Sequence, residues 1–176
     1  MKFKYTLLVV LLVTLAFGLN AEKKFTNFKL ENEKSKTVRL ADVTDQELTV
    51  IDFWASYCDP CKKALPHLEA LQTEYENLNV VVISIDNPRL RRKAMAYIKS
   101  KKYTFTTLYD TNNKVADKMK VKEIPYTFLI DKDGNILFEF SSGKVGSIET
   151  LKAEINKYIK PINAEECVEV EAPESE

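Results

Sequence analysis

The sequence has few of the residues that build fibrous, heavily disulfide-bonded or zinc-containing proteins. Its 176 residues include only 4 Gly and 6 Pro, which argues against a low-complexity or fibrous chain. Three Cys are too few, and an odd number, for a disulfide framework. One His and a single C-x-x-C pair cannot supply the four ligands of a structural zinc site. With 45% hydrophobic and 30% charged residues, the composition instead predicts a globular domain with a sizeable core.

The chain also lacks an excess of either charge. Lys and Arg total 26, as do Asp and Glu, and residues 22–160 carry 24 basic and 20 acidic side chains. This balance gives no basic footprint for nucleic acid, and we expect no nucleic-acid partner. Residues 161–176 hold six Glu and no basic residue, so we expect a disordered acidic tail. Its Cys167 is expected to be incidental, the alternatives being a second redox relay or an intermolecular bridge.

No apolar run is long enough to cross a bilayer comfortably. Lys2 and Lys4 precede an apolar stretch over Tyr5–Leu19. Fifteen helical residues fall short of a hydrocarbon core about 30 Å thick, so the pattern predicts a signal peptide at residues 1–21 rather than a spanning helix. Cleavage is expected after Ala21, with Gly18 as the second option and an uncleaved anchor as the alternative reading. The mature chain would then lie in a compartment that permits disulfides.

Apolar periodicity divides residues 22–160 into alternating strands and helices, which predicts one domain. Continuous β-branched runs indicate buried strands, and apolar residues at three- and four-residue spacing indicate helices. The turn dipeptide Asp133-Gly134 between two apolar runs predicts a hairpin. The result is an α/β fold with a mixed central sheet and helices on both faces. We expect strands near 25–30, 38–40, 48–53, 78–85, 105–109, 126–130 and 136–140, and helices from 60, from 88, near 114–120 and over 148–159.

The pair Cys58 and Cys61 lies where a buried strand gives way to a helix. Free amide groups and the helix dipole favour negative charge at that point, so a thiolate at Cys58 is stabilised. The thiolate is the species that attacks a disulfide, and two intervening residues place Cys61 one turn inside the helix, where it can resolve the mixed disulfide. A structural bridge is the weaker reading, because so small a loop would stabilise little. The only histidine, His67, falls on the polar side of the helix and is expected at the surface.

Two segments resemble the thioredoxin superfamily, and in particular its exported TlpA/ResA-like branch. The first is VIDFWASYCDPCK at residues 50–62, and the second is IPYTFLIDKDG at residues 124–134. The resemblance covers roughly residues 25–160 and implies a thioredoxin-like fold and a periplasmic location. It also implies a thiol–disulfide oxidoreductase that acts on disulfides of other exported proteins. A membrane-bound thiol donor would reduce it again, with no dissociable cofactor, and we expect a monomer.

The resemblance also implies roles for individual residues. Cys58 would be the attacking thiol and Cys61 the buried resolving thiol of a redox-active disulfide. Pro125, after a cis bond to Ile124, would lie against the disulfide and offer backbone groups to an extended substrate segment. Trp54 would pack beside the site.

Three positions next to the pair shape the expected chemistry. Asp52 matches the buried acid of thioredoxins, and a carboxyl group in an apolar strand has a raised pKa and can exchange a proton with Cys61. Tyr57, which we include among the substrate-binding residues, replaces the usual tryptophan before the first cysteine. Asp59 should disfavour the Cys58 thiolate, partly offset by the lysines at 62 and 63, and this charge pattern favours a reductant over an oxidant.

Two other functions fit the same residues in part. A thiol peroxidase would share the fold, but such enzymes use a lone peroxidatic cysteine in a different local setting. A non-catalytic module could bind a soft ion such as Cu(I) through both thiolates. That reading leaves Asp52 and Pro125 without a role. The basic stretch at residues 89–102 is expected to be a solvated helix face, with a docking patch for an acidic partner as the alternative.

Overall fold

The computed structural model describes residues 23–141 and 148–162. The predicted signal peptide and nearly all of the acidic tail, including Cys167, lie outside these ranges. Within them no helix has the length and apolar character needed to cross a membrane. The elements, in chain order, are β1 Lys29–Glu31, β2 Thr37–Arg39, β3 Leu48–Trp54, α1 Asp59–Glu74, β4 Leu78–Ser84, α2 Arg91–Lys101, β5 Thr106–Tyr109, α3 Lys114–Lys118, β6 Tyr126–Asp131, β7 Ile136–Ser141 and α4 Ile148–Ile155.

A seven-stranded mixed sheet forms the centre of the described structure, with the strand order β2-β1-β5-β4-β3-β6-β7. The three central strands β3, β4 and β5 run parallel, and the outer neighbours pair antiparallel. Parallel neighbours need crossover helices, and α1 and α2 supply them. The predicted mixed α/β fold is confirmed.

The two faces of β3 contact different cores because successive side chains point to opposite sides of a sheet. Val50 and Trp54 pack with Leu65 of α1 and with buried residues of α2 and α4. Ile51 and Phe53 pack on the other face with α3 and the amino-terminal segment. Helices therefore cover both faces, as predicted, and α1 covers the face on which even-numbered β3 residues lie.

The second helix begins later than its sequence indicated. We expected it to open at Pro88, but α2 starts at Arg91. The Asn87 side chain accepts hydrogen bonds from the amides of Arg89 and Leu90, and the Asn87 carbonyl accepts from Leu90 and Arg91. This local asparagine turn takes the place of the first helical turn. At the other end of the domain α4 ends at Ile155, short of the expected residue 159.

Candidate functional site

Cys58 and Cys61 lie at the amino terminus of α1, as expected, and form a disulfide with a Cα–Cα distance of 5.3 Å. Cys58 is the N-cap residue, and its sulfur accepts the backbone N–H of Cys61 at 3.1 Å. Pro60 falls in the first turn, where an amide donor would have no helical partner. Cys58 is 8% exposed and Cys61 is completely buried, so a partner molecule can reach only Cys58.

Charges beside the pair lie mainly on α1. The exposed Asp59 carboxylate accepts a hydrogen bond from Lys62 at 3.0 Å. That bond, with added attraction from Lys63 and Lys93, lowers the pKa of Asp59. The Asp59 carboxylate is therefore paired with Lys62, and the effect of these charges on the Cys58 thiolate stays a prediction. Because the group is exposed, salt will screen these charges.

The segment before β6 brings a backbone acceptor to the disulfide. The Ile124–Pro125 peptide bond is cis, as the resemblance implied. The carbonyl oxygen of Ile124 lies 3.8 Å from the Cys58 sulfur, although the two residues are 66 positions apart. Pro125 is buried and Ile124 is half-buried, so some Ile124 surface stays accessible beside Cys58. The segment thus places a backbone carbonyl oxygen directly beside the accessible sulfur of the pair.

Asp52 is a buried carboxyl group on β3, the strand that precedes the disulfide. It is 1% exposed and lies on β3 between Val50 and Trp54, on the face covered by α1. Burial raises its pKa to about 7, while the hydrogen bond that Thr127 donates to its Oδ1 at 2.7 Å acts in the opposite direction. No group in the described chain hydrogen-bonds its Oδ2. The structure therefore contains an acid that titrates near neutrality on the same side of the sheet as Cys61.

The two aromatic residues near the pair differ in accessibility. Trp54 has no exposed surface and packs against Tyr97 with ring centroids 6.0 Å apart. Trp54 therefore cannot contact a substrate directly, and any part it plays in substrate binding is to pack beneath the residues that a substrate can reach. Tyr57 is 59% exposed next to Cys58 and presents its ring to solvent. Its part in substrate binding stays a prediction.

Sequence reasoning overlooked Ser56 and Asp86. Asp86 follows β4, is completely buried, and accepts hydrogen bonds from the Ser56 amide at 2.7 Å, the Ser56 hydroxyl at 2.6 Å and the Ser84 hydroxyl at 2.9 Å. The available signal was the Ser-x-Asp sequence at the carboxyl end of an otherwise apolar strand. At that edge of an α/β sheet polar side chains commonly serve a site.

Two further expectations concern residues outside the disulfide. His67 is exposed on α1, as predicted. Over residues 23–141 and 148–162 no cluster of three or more His, Cys, Asp or Glu side chains is arranged to hold a metal ion. The thiol sulfurs that a soft ion could bind in the described chain are those of Cys58 and Cys61, and these are joined to each other.

Comparison with known proteins gives consistent matches. The sequence model of the AhpC/TSA family matches residues 21–138. Thiol-disulfide oxidoreductase ResA of Bacillus thuringiensis subsp. konkukian (strain 97-27) is 26% identical over 140 residues, which is 80% of this chain and 77% of that protein. ResA of Bacillus subtilis (strain 168) is 27% identical over 111 residues, 63% of this chain and 62% of that protein.

Solved structures share the fold. A crystal structure assigned to a thiol:disulfide interchange protein DsbE from Chlorobium tepidum superposes with a TM-score of 0.70 and 26% identity, covering 80% of this chain and 99% of that one. StoA from Bacillus subtilis, at 20% identity, has a TM-score of 0.59 over 74% of this chain and 97% of its own. The StoA likeness bears on the fold alone.

Proposed function

Because the chain belongs to the AhpC/TSA family, of thioredoxin-like fold, we propose that it is an exported thiol–disulfide oxidoreductase that reduces or exchanges disulfides of other proteins. One observation carries this proposal. A C-x-x-C pair caps the amino terminus of α1, with only Cys58 accessible and the Ile124 carbonyl beside it. The relatives named as thiol-disulfide oxidoreductases support the same reaction class.

The reaction begins with attack by the reduced Cys58. Its thiolate, stabilised by the Cys61 amide and the helix terminus, attacks one sulfur of a substrate disulfide. A bond forms between Cys58 and that sulfur, the substrate S–S bond breaks, and the second substrate sulfur leaves as a thiolate that takes a proton. The product of this step is a mixed disulfide between enzyme and substrate.

Resolution requires Cys61 to lose its proton. We assign that proton to the Asp52 carboxylate, which lies on the face covered by α1 and has a pKa near 7. The Cys61 thiolate attacks the Cys58 sulfur, the enzyme–substrate bond breaks, and the substrate leaves as a dithiol. The enzyme keeps the Cys58–Cys61 disulfide, so the pair has supplied two electrons.

The surface around Cys58 is suited to an extended protein segment rather than to an enclosed small molecule. Backbone groups at Ile124 and Pro125 would align such a segment, and the exposed Tyr57 ring would pack on it. A thiol donor at the membrane would then reduce the disulfide. The signal-like residues 1–21 support a periplasmic location, and we propose that the protein works there as a monomer without a dissociable cofactor.

We expect the purified mature protein to catalyse reduction of insulin disulfides by dithiothreitol, followed as precipitation of the free B chain. Cys167→Ser is the matched control and should retain full activity, because the acidic tail has no assigned chemistry. The same preparation, reduced, should consume hydrogen peroxide no faster than a small free thiol. Rapid peroxide turnover that depends on Cys58, without insulin reduction, would replace this proposal with a thiol peroxidase. Stoichiometric copper with neither activity would replace it with a metal-binding module.

A further inference from the structure

Asp86 is a fully buried carboxylate that contacts the segment leading into the disulfide, and it plays no part in the reaction steps above. We propose that Asp86 is a positioning residue, which anchors Ser56 and thereby holds the Cys58 sulfur on the Cys61 amide. The proposal rests on the proposed function only in taking Cys58 as the reactive thiol.

Every polar atom of the Asp86 carboxylate is used at this junction. Its Oδ1 accepts the Ser56 hydroxyl at 2.6 Å, and its Oδ2 accepts the Ser56 amide at 2.7 Å and the Ser84 hydroxyl at 2.9 Å. Charged acceptors in short hydrogen bonds bind about twice as strongly as neutral ones. Burying a carboxylate is costly unless hydrogen-bond donors replace its lost water. The three donors from Ser56 and Ser84 do so here, and together with Asp86 they form one rigid unit.

This hydrogen-bonded unit holds in place the short segment that leads from the end of β3 to Cys58. The Ile85 amide donates to the Trp54 carbonyl at 2.9 Å, which extends the β3–β4 pairing to the last residue of β3. One residue after Ile85, Asp86 accepts the hydrogen bonds from Ser56, which lies two residues after Trp54. The Cys58 amide then donates to the Ala55 carbonyl at 3.0 Å and closes a tight turn. Ser56 lies inside that turn, so its anchor determines where the turn places Cys58.

The position of Cys58 matters because, among the described residues, one backbone N–H points at its sulfur and would stabilise the thiolate of the reduced protein. The Cys61 amide reaches its sulfur at 3.1 Å, and such bonds weaken steeply as distance and angle depart from the optimum. Loss of the Ser56 anchor would let the turn move and weaken that bond. The Cys58 thiol would then have a higher pKa, and less thiolate would be present at neutral pH.

The chain offers a matched control at the same edge of the sheet. Asp110 follows β5 as Asp86 follows β4, is 2% exposed, and accepts the amides of Val115 and Ala116 at the start of α3. Its carboxylate hydrogen-bonds to α3, and none of its hydrogen bonds within the described chain goes to residues 54–58. Asp110→Asn therefore removes a comparable buried carboxylate without touching the turn.

The test measures the reactive thiol directly in the reduced protein, with Cys167→Ser as the background. Iodoacetamide alkylation of Cys58 is followed by mass spectrometry across pH 4–9, so no disulfide substrate is needed. Asp86→Asn replaces one carboxylate oxygen with an NH2 group, which cannot accept the hydrogen bonds that Ser56 and Ser84 donate. We expect this variant to be alkylated roughly tenfold more slowly at pH 7, with the pKa of the Cys58 thiol moved upward. Ser56→Ala, which keeps the backbone bond, should slow alkylation about two- to threefold. Asp110→Asn should titrate as the background does.

Three outcomes decide the proposal. A titration in Asp86→Asn that equals the background, with a stability loss like that of Asp110→Asn, would make Asp86 merely structural and overturn it. If Asp86→Asn does not fold, Ser56→Ala decides the proposal. Alkylation of Cys58 that is unchanged in Ser56→Ala overturns the proposal, and slower alkylation supports it. Because background alkylation is read separately from insulin reduction, failure of the proposed function would be recognised independently. Asp52, Asp59, Lys62, Lys63, Lys93 and Glu123 are unchanged in all variants. Asp86→Asn also removes a negative charge, which by itself would lower the pKa of the Cys58 thiol, so an upward shift reports the lost anchor and not the lost charge.

Discussion

Replacing Cys58 with serine should abolish insulin disulfide reduction, lowering the rate by at least roughly 10³-fold. A hydroxyl group does not ionise near neutral pH and cannot replace the thiolate. Cys61 cannot substitute for it, because it is completely buried and a bulky protein disulfide cannot reach its sulfur. The measurement is the dithiothreitol-coupled insulin assay, with Cys167→Ser again as the control that retains activity.

Cys61→Ser should fail differently from Cys58→Ser. Its Cys58 still attacks the substrate, but nothing resolves the product, so a mixed disulfide should accumulate and appear on non-reducing gels and by mass spectrometry. The Cys58→Ser variant should trap nothing. The opposite pattern, with trapping in Cys58→Ser and none in Cys61→Ser, would show that the roles of the two thiols are reversed.

Asp52→Asn should make the protein more stable at neutral and alkaline pH. Burial raises the pKa of Asp52 from 3.8 to about 7, so the native state holds this proton more tightly than the unfolded chain does. Between pH 4 and pH 7 the unfolded chain has lost the proton and the native state has not. The free energy of unfolding therefore falls as pH rises through this window, and levels off above pH 7.

The asparagine variant removes that ionisation cost and can still accept the Thr127 hydroxyl. We expect its free energy of unfolding to exceed that of the wild type by up to about 4 kcal/mol at pH 8, and to match it near pH 4. Urea unfolding of both proteins at the two pH values measures the difference. Equal stability of the two proteins at pH 8 would contradict a strongly raised pKa for Asp52.

The same substitution should slow the resolving step. Without a carboxylate to take the Cys61 proton, decay of a preformed mixed disulfide should slow roughly tenfold or more, and its pH dependence should lose the inflection near pH 7. Thr127→Val provides a second variant, because its lost hydrogen bond removes an interaction that lowers the Asp52 pKa. The inflection should then move to higher pH. An Asp52→Asn protein that keeps both rate and inflection would exclude Asp52 from proton transfer.

Local patterns in the sequence predicted the elements that carry the pair. The runs of β3 and β4 are rich in β-branched residues and largely apolar, Asp52 being the one charged residue in them, and their bounds agree with prediction to within a residue or so. The hairpin of β6 and β7 followed from Asp133-Gly134, and Gly134 indeed has a positive φ of 79°. The predicted start of α2 was wrong because the Asn87 side chain accepts hydrogen bonds from nearby backbone amides. The spacing of apolar residues contains no information about such a turn.

The residues of the site also fall into those that local sequence predicted and those that depend on contacts between distant segments. Cys58 and Cys61 are three residues apart, so their spacing alone places both at one helix terminus. The approach of Ile124 to Cys58 joins residues 66 positions apart and was expected only from resemblance. The Ser56–Asp86 contact joins residues 30 positions apart, each of which looks like an ordinary loop residue by itself. Contacts of this kind depend on which strands pair, and sheet order had not been predicted.

The most direct test of the account is the reduction potential of the Cys58–Cys61 pair. Purified mature protein is equilibrated in graded glutathione buffers, and the free thiols of Cys58 and Cys61 are quantified. We predict a reversible two-electron transition with a midpoint near or below about −250 mV, toward the thioredoxin end of the known range. A midpoint near about −120 mV would contradict the reductase direction and make the protein an oxidant. The absence of any reversible exchange between the two sulfurs would contradict the oxidoreductase account itself.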